Sequence, residues 1–299
     1  MSSRSTPVIA STRSRGNYSP NAKALRTFTA GLEFAGTVVG AGDGVDESRI
    51  GTRVMGTTGG ALAEHALVDH RLAVPVPASL SFTDAAALPV ALTTEHDALV
   101  TQAGFTAGQS VLVVGATSGI GMVAVQMAKA LGASTVIGTT TSAAKASVVR
   151  SAGTDLVVDT STMSLVEPVL EATGGKGVDV VLDHVGGSLF GQLPAATRVQ
   201  GTIVNIGRLA GSATTIDLDQ VAFRRLRILG TTFSVRTTDE RAAVAAALAP
   251  EILPAVAAGL IRPVVDMVVP FDRAHQAADR LRANQVVGKI VIEIDPEQR

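Results

Sequence analysis

The stretch SVLVVGATSGIG, residues 110–121, joins an apolar run to three glycines in the spacing Gly115-x-x-x-Gly119-x-Gly121. A strand that ends in glycines and feeds a helix N-terminus makes an anion site. Glycine lets the backbone approach a pyrophosphate, and the helix dipole and its free N–H groups hold the charge. The chemistry expected of Gly115, Ala116, Thr117, Ser118, Gly119, Ile120 and Gly121 is dinucleotide binding. A second clue follows one strand later, in VIGTTTSAAK. No acid stands there to hold ribose hydroxyls. Thr141, Ser142 and Lys145 instead offer hydroxyls and a cation, which suit a 2′-phosphate, so NADPH is the expected cofactor.

These residues need a scaffold. From Ser110 the apolar runs VLVV, TVIGT, LVVD, VDVVLD, GTIVNIG and RILGTTF follow one another, and helical patterns separate most of them. β-Branched runs without polar alternation fit parallel strands covered on both faces. Strand–helix alternation at this spacing predicts an open α/β sheet. Thr237 and Glu240 read as a capping box for a later helix, which Pro250 and Pro254 break.

On either side the chain turns β-rich, in LEFAGTVVGAG, IGTRVMG and LAVPVP, and again in PVVDMVVPF and GKIVIEI. Frequent Gly and Pro with period-two stretches predict a small barrel or sandwich. The expected organisation is a substrate domain from residues 1–91 and 262–299 around a nucleotide-binding domain over 92–261. The stretch 81–104 reads as helical, with Ser81 or Thr83 as a cap. The opening MSSRSTPVIASTRSRG is polar, lacks the apolar core of a signal peptide, and reads as a disordered arm.

Composition narrows the function. The chain is 46% hydrophobic with mean hydropathy +0.34. Its apolar runs are nonetheless well short of the ~20 residues of a spanning helix, so no membrane role is expected. A net charge of −1 gives no basic surface for nucleic acid. The chain has no cysteine, which removes disulfides, thiolate chemistry and four-cysteine zinc sites and fits a cytoplasmic protein.

Short-chain dehydrogenases use a similar glycine turn, but they catalyse with a Tyr-x-x-x-Lys pair downstream of it. The single tyrosine here, Tyr18, lies upstream, so that chemistry is absent. The ordered series GLEFAGTVV, GTRVMG, AALPVALTT, VLVVGATSGIGMVAVQMAKALGA, DVVLDHVGG, GTIVNIG and VVGKIVIEI instead resembles the medium-chain dehydrogenase/reductase superfamily. The likeness is to its zinc-independent quinone oxidoreductase and enoyl reductase branch. It implies an α/β fold, with a Rossmann doubly wound parallel sheet plus a GroES-like β-rich substrate domain and the active site in the cleft between them. The substrate domain is N-terminally shortened, because sixteen polar residues stand where relatives begin with a hairpin. The resemblance also implies a homodimer and hydride transfer from NADPH to a small-molecule quinone or activated C=C bond.

Site residues carry over by position. Asn17 matches a Gly-x-Asn segment that faces substrate, and Tyr18 beside it either donates to a carbonyl or packs. Thr94 matches a threonine near the nicotinamide, and His96 stands where relatives have a tyrosine and is a candidate proton donor. Glu95 and Asp97 either tune His96 or face solvent. Val185, Gly207, Thr231 and Phe233 match the nicotinamide-side strand ends, and Lys289 matches a position near the phosphates. His184 is expected to act through its backbone. Leu62 and His65 replace family tyrosines and imply an altered pocket. Without cysteine or a histidine cluster, no catalytic zinc is expected. A non-catalytic NADPH-binding protein would carry the same turn, and that alternative stays open.

Overall fold

The computed structural model describes residues 8–11, 29–283 and 285–294. Their contacts form two compact units. One takes in the described residues up to Val90, Ala245–Ala257 and those from Pro263 onward; the other comprises Ala91–Val244 and Ala258–Arg262.

The first unit is built on a six-stranded sheet. Its strands are β1 (Val8–Ser11), β2 (Glu33–Thr37), β3 (Arg53–Thr57), β4 (Ala73–Pro75), β11 (Val265–Pro270) and β12 (Lys289–Glu293), in the order β11-β12-β1-β2-β3-β4. This overturns part of the expectation for the N-terminal arm. Residues 8–11, the one apolar stretch of the arm, pair antiparallel along β12 and meet β2 at Val8↔Ala35. The edge of β12 that an absent strand would leave open is thereby paired. Phe34, Val54, Ala61, Ala73 and Ile294 form one core cluster. Val269, Ala277, Ile290 and Ile292 form another, to which the helix Ala274–Arg282 contributes Ala277.

The second unit holds a parallel sheet of β5 (Ser110–Val114), β6 (Thr135–Thr140), β7 (Leu156–Asp159), β8 (Val178–Asp183), β9 (Thr197–Asn205) and β10 (Arg227–Gly230). The order is β10-β9-β8-β5-β6-β7, the doubly wound arrangement in which chain progress reverses between β5 and β8. Leu112, Val114, Ile137, Val158, Val181 and Ile203 are almost wholly buried in its core, as their uninterrupted apolar runs require. Asp179 accepts hydrogen bonds from Ser110 N (2.8 Å) and Ser110 Oγ (2.7 Å), which ties the entry of β5 to β8. Ligands of such sheets gather beyond the carboxyl ends of the strands, at the reversal point.

Helices place the remaining residues. Ser81 caps α1 (Phe82–Ala86) by accepting from Asp84 N. Then comes α2 (Pro89–His96), which runs on as a π-helical turn over Asp97–Gln102. The helix after β5 is α3 (Gly119–Ala130). The capping box at Thr237 and Glu240 opens the helix Thr238–Glu251 as read from the sequence.

Candidate functional site

The glycine turn leaves β5 at Gly115, whose φ of +83° is a conformation that side chains rarely adopt. Ser118 caps α3, with its Oγ accepting from Gly121 N at 3.0 Å and donating to Gly115 O at 3.0 Å. A Cβ on Gly121 would sit 2.5 Å from Gly115 O and 2.9 Å from Ala116 Cα, so helix and turn touch backbone to backbone. Thr139 Oγ1 accepts from Gly115 N at 2.9 Å, and Thr139 O accepts from Ala116 N at 3.1 Å. The turn is thus held from β6 as well as from its own helix. At the helix start, N–H groups lacking an intrahelical acceptor face outward from the turn.

Next to the turn lie the ends of β8 and β9. Asp183 is fully buried and accepts from Val185 N (3.0 Å), Gly186 N (3.0 Å) and Asn205 Nδ2 (2.8 Å). Asn205 Oδ1 in turn accepts from Arg208 at 3.0 Å. A Cβ on Gly115 would touch Val185 Cγ2 at 2.9 Å, and one on Gly207 would overlap His184 O. Gly115, His184, Val185 and Gly207 are therefore in close contact beside the crevice that a strand reversal of this kind forms.

The ring of His184 is engaged as fully as its backbone, where the expectation from sequence assigned the backbone the greater part. It is 3% exposed, with Nδ1 2.9 Å from Val114 O and Nε2 2.8 Å from Glu95 Oε1. A carbonyl only accepts, so Nδ1 carries a proton. Burial pushes the imidazole pKa down. The charge and hydrogen bond of Glu95, the Val114 carbonyl and the Asp183 charge outweigh burial and hold it above the ordinary histidine value. Glu95 thus favours the protonated form of the imidazole it faces. Glu95 is fully buried and does not face solvent. Among the described residues, its Oε2 has no hydrogen-bond partner.

Asp97 is fully buried too, two residues on. Its Oδ2 accepts from Thr231 Oγ1 at 2.6 Å and from Arg236 at 2.5 Å. Arg236 also lies over the Phe233 ring, 4.6 Å from its centroid, and Arg241 donates to Phe233 O at 2.9 Å. The last strand ends at Gly230, Thr231 N still donates to Asn205 O of β9 at 3.0 Å, and the cluster pins the loop that follows, with Phe233 in it.

The second unit thus holds the turn 115–121, Thr141, Ser142, Lys145, Val185, Gly207, Thr231 and Phe233, together with Thr94 and His96 on α2. Thr94 is half-buried and His96 is 2% exposed. Thr141 is exposed just past β6, and Ser142 N donates to Thr140 Oγ1 at 3.0 Å. Lys289 belongs to the first unit, where its Nζ lies 2.5 Å from Glu33 Oε1 with both side chains buried. Its charge is committed to a structural ion pair, so the phosphate role implied by resemblance does not fit its surroundings. Asn17 and Tyr18 lie outside the described residues. His65 and Leu67 help line a cavity of about 190 Å³ in the first unit, walled by Phe34, Val38, Val54 and Ala73.

Comparison with known proteins bears on this arrangement. The alcohol dehydrogenase GroES-like domain matches residues 8–78, and the zinc-binding dehydrogenase family matches residues 119–249. The chain belongs to the medium-chain dehydrogenase/reductase superfamily. It is 28% identical over 268 residues to bovine (Bos taurus) quinone oxidoreductase-like protein 2, covering 89% of this chain and 76% of that protein. It is 40% identical over 180 residues to erythronolide synthase EryA2 of Saccharopolyspora erythraea, covering 60% of this chain but only 5% of the synthase. Among solved structures, Escherichia coli quinone oxidoreductase complexed with NADPH matches with a TM-score of 0.81 and 28% identity, over 97% of this chain and 91% of that one. The Rossmann sheet and the GroES-like unit expected of the superfamily are both present.

The residues of this medium-chain dehydrogenase/reductase fit a dinucleotide. A side chain at Gly121 would fill the close approach between α3 and the turn, and one at Gly115 would strain the backbone against Val185. Both keep the backbone of the turn open to the close approach of a pyrophosphate.

Proposed function

We propose that the protein is an NADPH-dependent, zinc-independent reductase that transfers hydride to a quinone or to the activated C=C bond of an enone or enoyl substrate. The observation that carries this reading is the turn 115–121, backbone-packed at Gly121 and placed at the strand reversal beside His184 and Gly207. When bound, the reduced nicotinamide supplies a hydride. The chain's own part is to bind, to orient and to exclude water. The turn 115–121 receives the pyrophosphate. Thr141, Ser142 and Lys145 receive the 2′-phosphate, where no acid at the end of β6 favours a free ribose. Val185, Gly207 and the loop of Thr231 and Phe233, held by Asp97 and Arg236, wall the nicotinamide end. Thr94 and His96, on α2, are the side chains assigned to the acceptor's oxygen.

Zinc independence rests on donor chemistry. The chain has no cysteine, and among the described residues no three His, Asp or Glu groups converge as a metal site. Likenesses both to quinone oxidoreductase-like proteins and to the synthase keep quinones and enoyl groups in the acceptor class. The homodimer expected of such a reductase would form along β10, one of the two edges of the second sheet, near exposed Leu218 and Phe223. Among the described residues no helix is long and apolar enough to cross a membrane.

The test is loss of dihydronicotinamide absorbance with a 1,2-quinone, a 1,4-quinone, a simple enone and an enoyl thioester, with NADPH binding followed by fluorescence. Turnover of any acceptor supports the reductase, and the best acceptor sets the substrate class. Binding without turnover favours the non-catalytic alternative. No binding overturns both.

A further inference from the structure

The Glu95–His184 pair asks for an explanation that packing does not supply. Burying an ion pair gains little over apolar residues of the same volume, and an unpartnered carboxylate oxygen adds to the cost. The neighbouring strand positions are leucines and valines, which would fill the same space. What distinguishes the pair is its place. The Val114 carbonyl, the last group before Gly115, receives both the His184 main-chain N–H at 3.2 Å and the ring Nδ1–H at 2.9 Å. Both of its lone pairs are therefore taken by one residue. The next residue, Val185, is the side chain that meets Gly115, and Gly207 packs on the His184 carbonyl. A single imidazole thus fixes the floor of the glycine turn and the opposite wall of the crevice. Glu95 on α2 fixes the imidazole.

We propose that Glu95 and His184 are positioning residues that set the affinity of the glycine turn for the dinucleotide. The inference rests on reading 115–121 as an NADPH site. Neither residue touches the cofactor in this scheme. The imidazole lies on the turn's side of the pair and Glu95 on the α2 side, so the pair presents the Nδ1–H donor to the backbone that leads into the turn. The charged groups facing the ring are Glu95 and Asp183, and Asp183 is itself bonded by Val185 N, Gly186 N and Asn205. Because the pair acts on the turn, its loss affects whatever binds through a pyrophosphate, with or without a 2′-phosphate.

The experiment compares the full-length chain with Glu95→Gln and His184→Asn. Asparagine keeps a donor near the Nδ1 position but cannot reach Glu95. NADPH and NADH are titrated separately by fluorescence from pH 6 to 9, and KM and kcat are measured with the best acceptor. Glu95→Gln is expected to weaken both cofactors by the same factor, roughly three- to tenfold, the scale of one net hydrogen bond. The change is expected to fall on KM for NADPH more than on kcat; affinity of the unaltered chain is expected to decline as pH rises, and the variant to lack that decline. His184→Asn is expected to weaken binding less than His184→Leu, which a purely space-filling role would not require. Unchanged affinity in both Glu95→Gln and His184→Asn overturns the proposal. So does a loss confined to NADPH. Should Glu95→Gln fail to fold, the order of the two His184 variants decides alone. If the unaltered chain binds neither nicotinamide, the proposed function fails, and this inference with it.

Discussion

Gly121→Ala tests the phosphate turn at its tightest point. The added methyl would stand 2.5 Å from Gly115 O, 2.9 Å from Ala116 Cα and 3.1 Å from Gly115 C, all of them backbone atoms that no rotamer change can clear. Reaching ordinary contact near 3.4 Å requires α3 and the turn to separate by about 0.9 Å. Gly121 has a φ open to any residue, so strain at the position itself does not confuse the result. Overpacking of this kind costs about 1–3 kcal/mol of folding stability. The larger effect falls on binding. A displacement of that size takes a 2.9 Å hydrogen bond out of range, and each charge-assisted bond lost is worth about 1.5–3 kcal/mol. One such bond lost weakens NADPH at least tenfold, and two weaken it a hundredfold or more. The assay is a fluorescence titration of NADPH at a temperature where urea unfolding shows the variant to be folded. Gly42→Ala, where nothing lies within 4 Å of the new methyl, serves as control and should match the parent. If folded Gly121→Ala binds NADPH within twofold of the parent, the turn is not the phosphate site.

Three further outcomes follow from the same geometry. His184 has a pKa raised above 6.5 in the folded chain. Its stabilisation is therefore complete below the unfolded value and lost as pH rises through the folded one; urea midpoints should fall in that window, and a flat profile would refute the ion pair. Lys289→Met strips Glu33 of its buried counter-charge and should cost about 3–5 kcal/mol by urea unfolding, while NADPH affinity of the folded protein changes less than twofold; a tenfold loss of affinity would restore Lys289 to the phosphates. Lys145→Ala should weaken NADPH about tenfold or more, the loss of one charged hydrogen bond, and leave NADH unchanged; equal effects on both cofactors would place the 2′-phosphate elsewhere.

The second unit was legible because its signals are local. Most strands are short runs rich in β-branched residues, glycines follow β5, β8 and β9, and Ser118 stands where a cap belongs. The network behind the crevice was not. Glu95 meets His184 across 89 positions, Asp97 meets Arg236 across 139, and Lys289 meets Glu33 across 256. Charged residues are by default surface residues, so nothing in LTTEHDALV announces that its two acids are buried. A signal was present all the same: two acids and a histidine interrupt an otherwise apolar helical stretch, which a surface helix would not bury and an ordinary core would not contain. At the N-terminus a polar composition hid a four-residue strand, because pairing with β12 depends on backbone groups that composition does not report. The last strand also ends earlier than its composition suggests, at Gly230, just before the loop that Asp97 holds through the Thr231 hydroxyl.

The sheet of the first unit interleaves the two ends of the chain, with β12 lying between β11 and β1. This sets an order of events on the ribosome. The parallel sheet has all its strands once Gly230 has been made, whereas the other sheet lacks its central β12 until Glu293 has been added. At the usual elongation rate of ~5–20 residues per second, roughly 3 to 13 s separate those two moments. During that interval β1 waits without β12, the strand it pairs along in the finished sheet. The nascent chain is then a finished nucleotide-binding half beside an unfinished one, and the half-made sheet is where a chaperone has work to do.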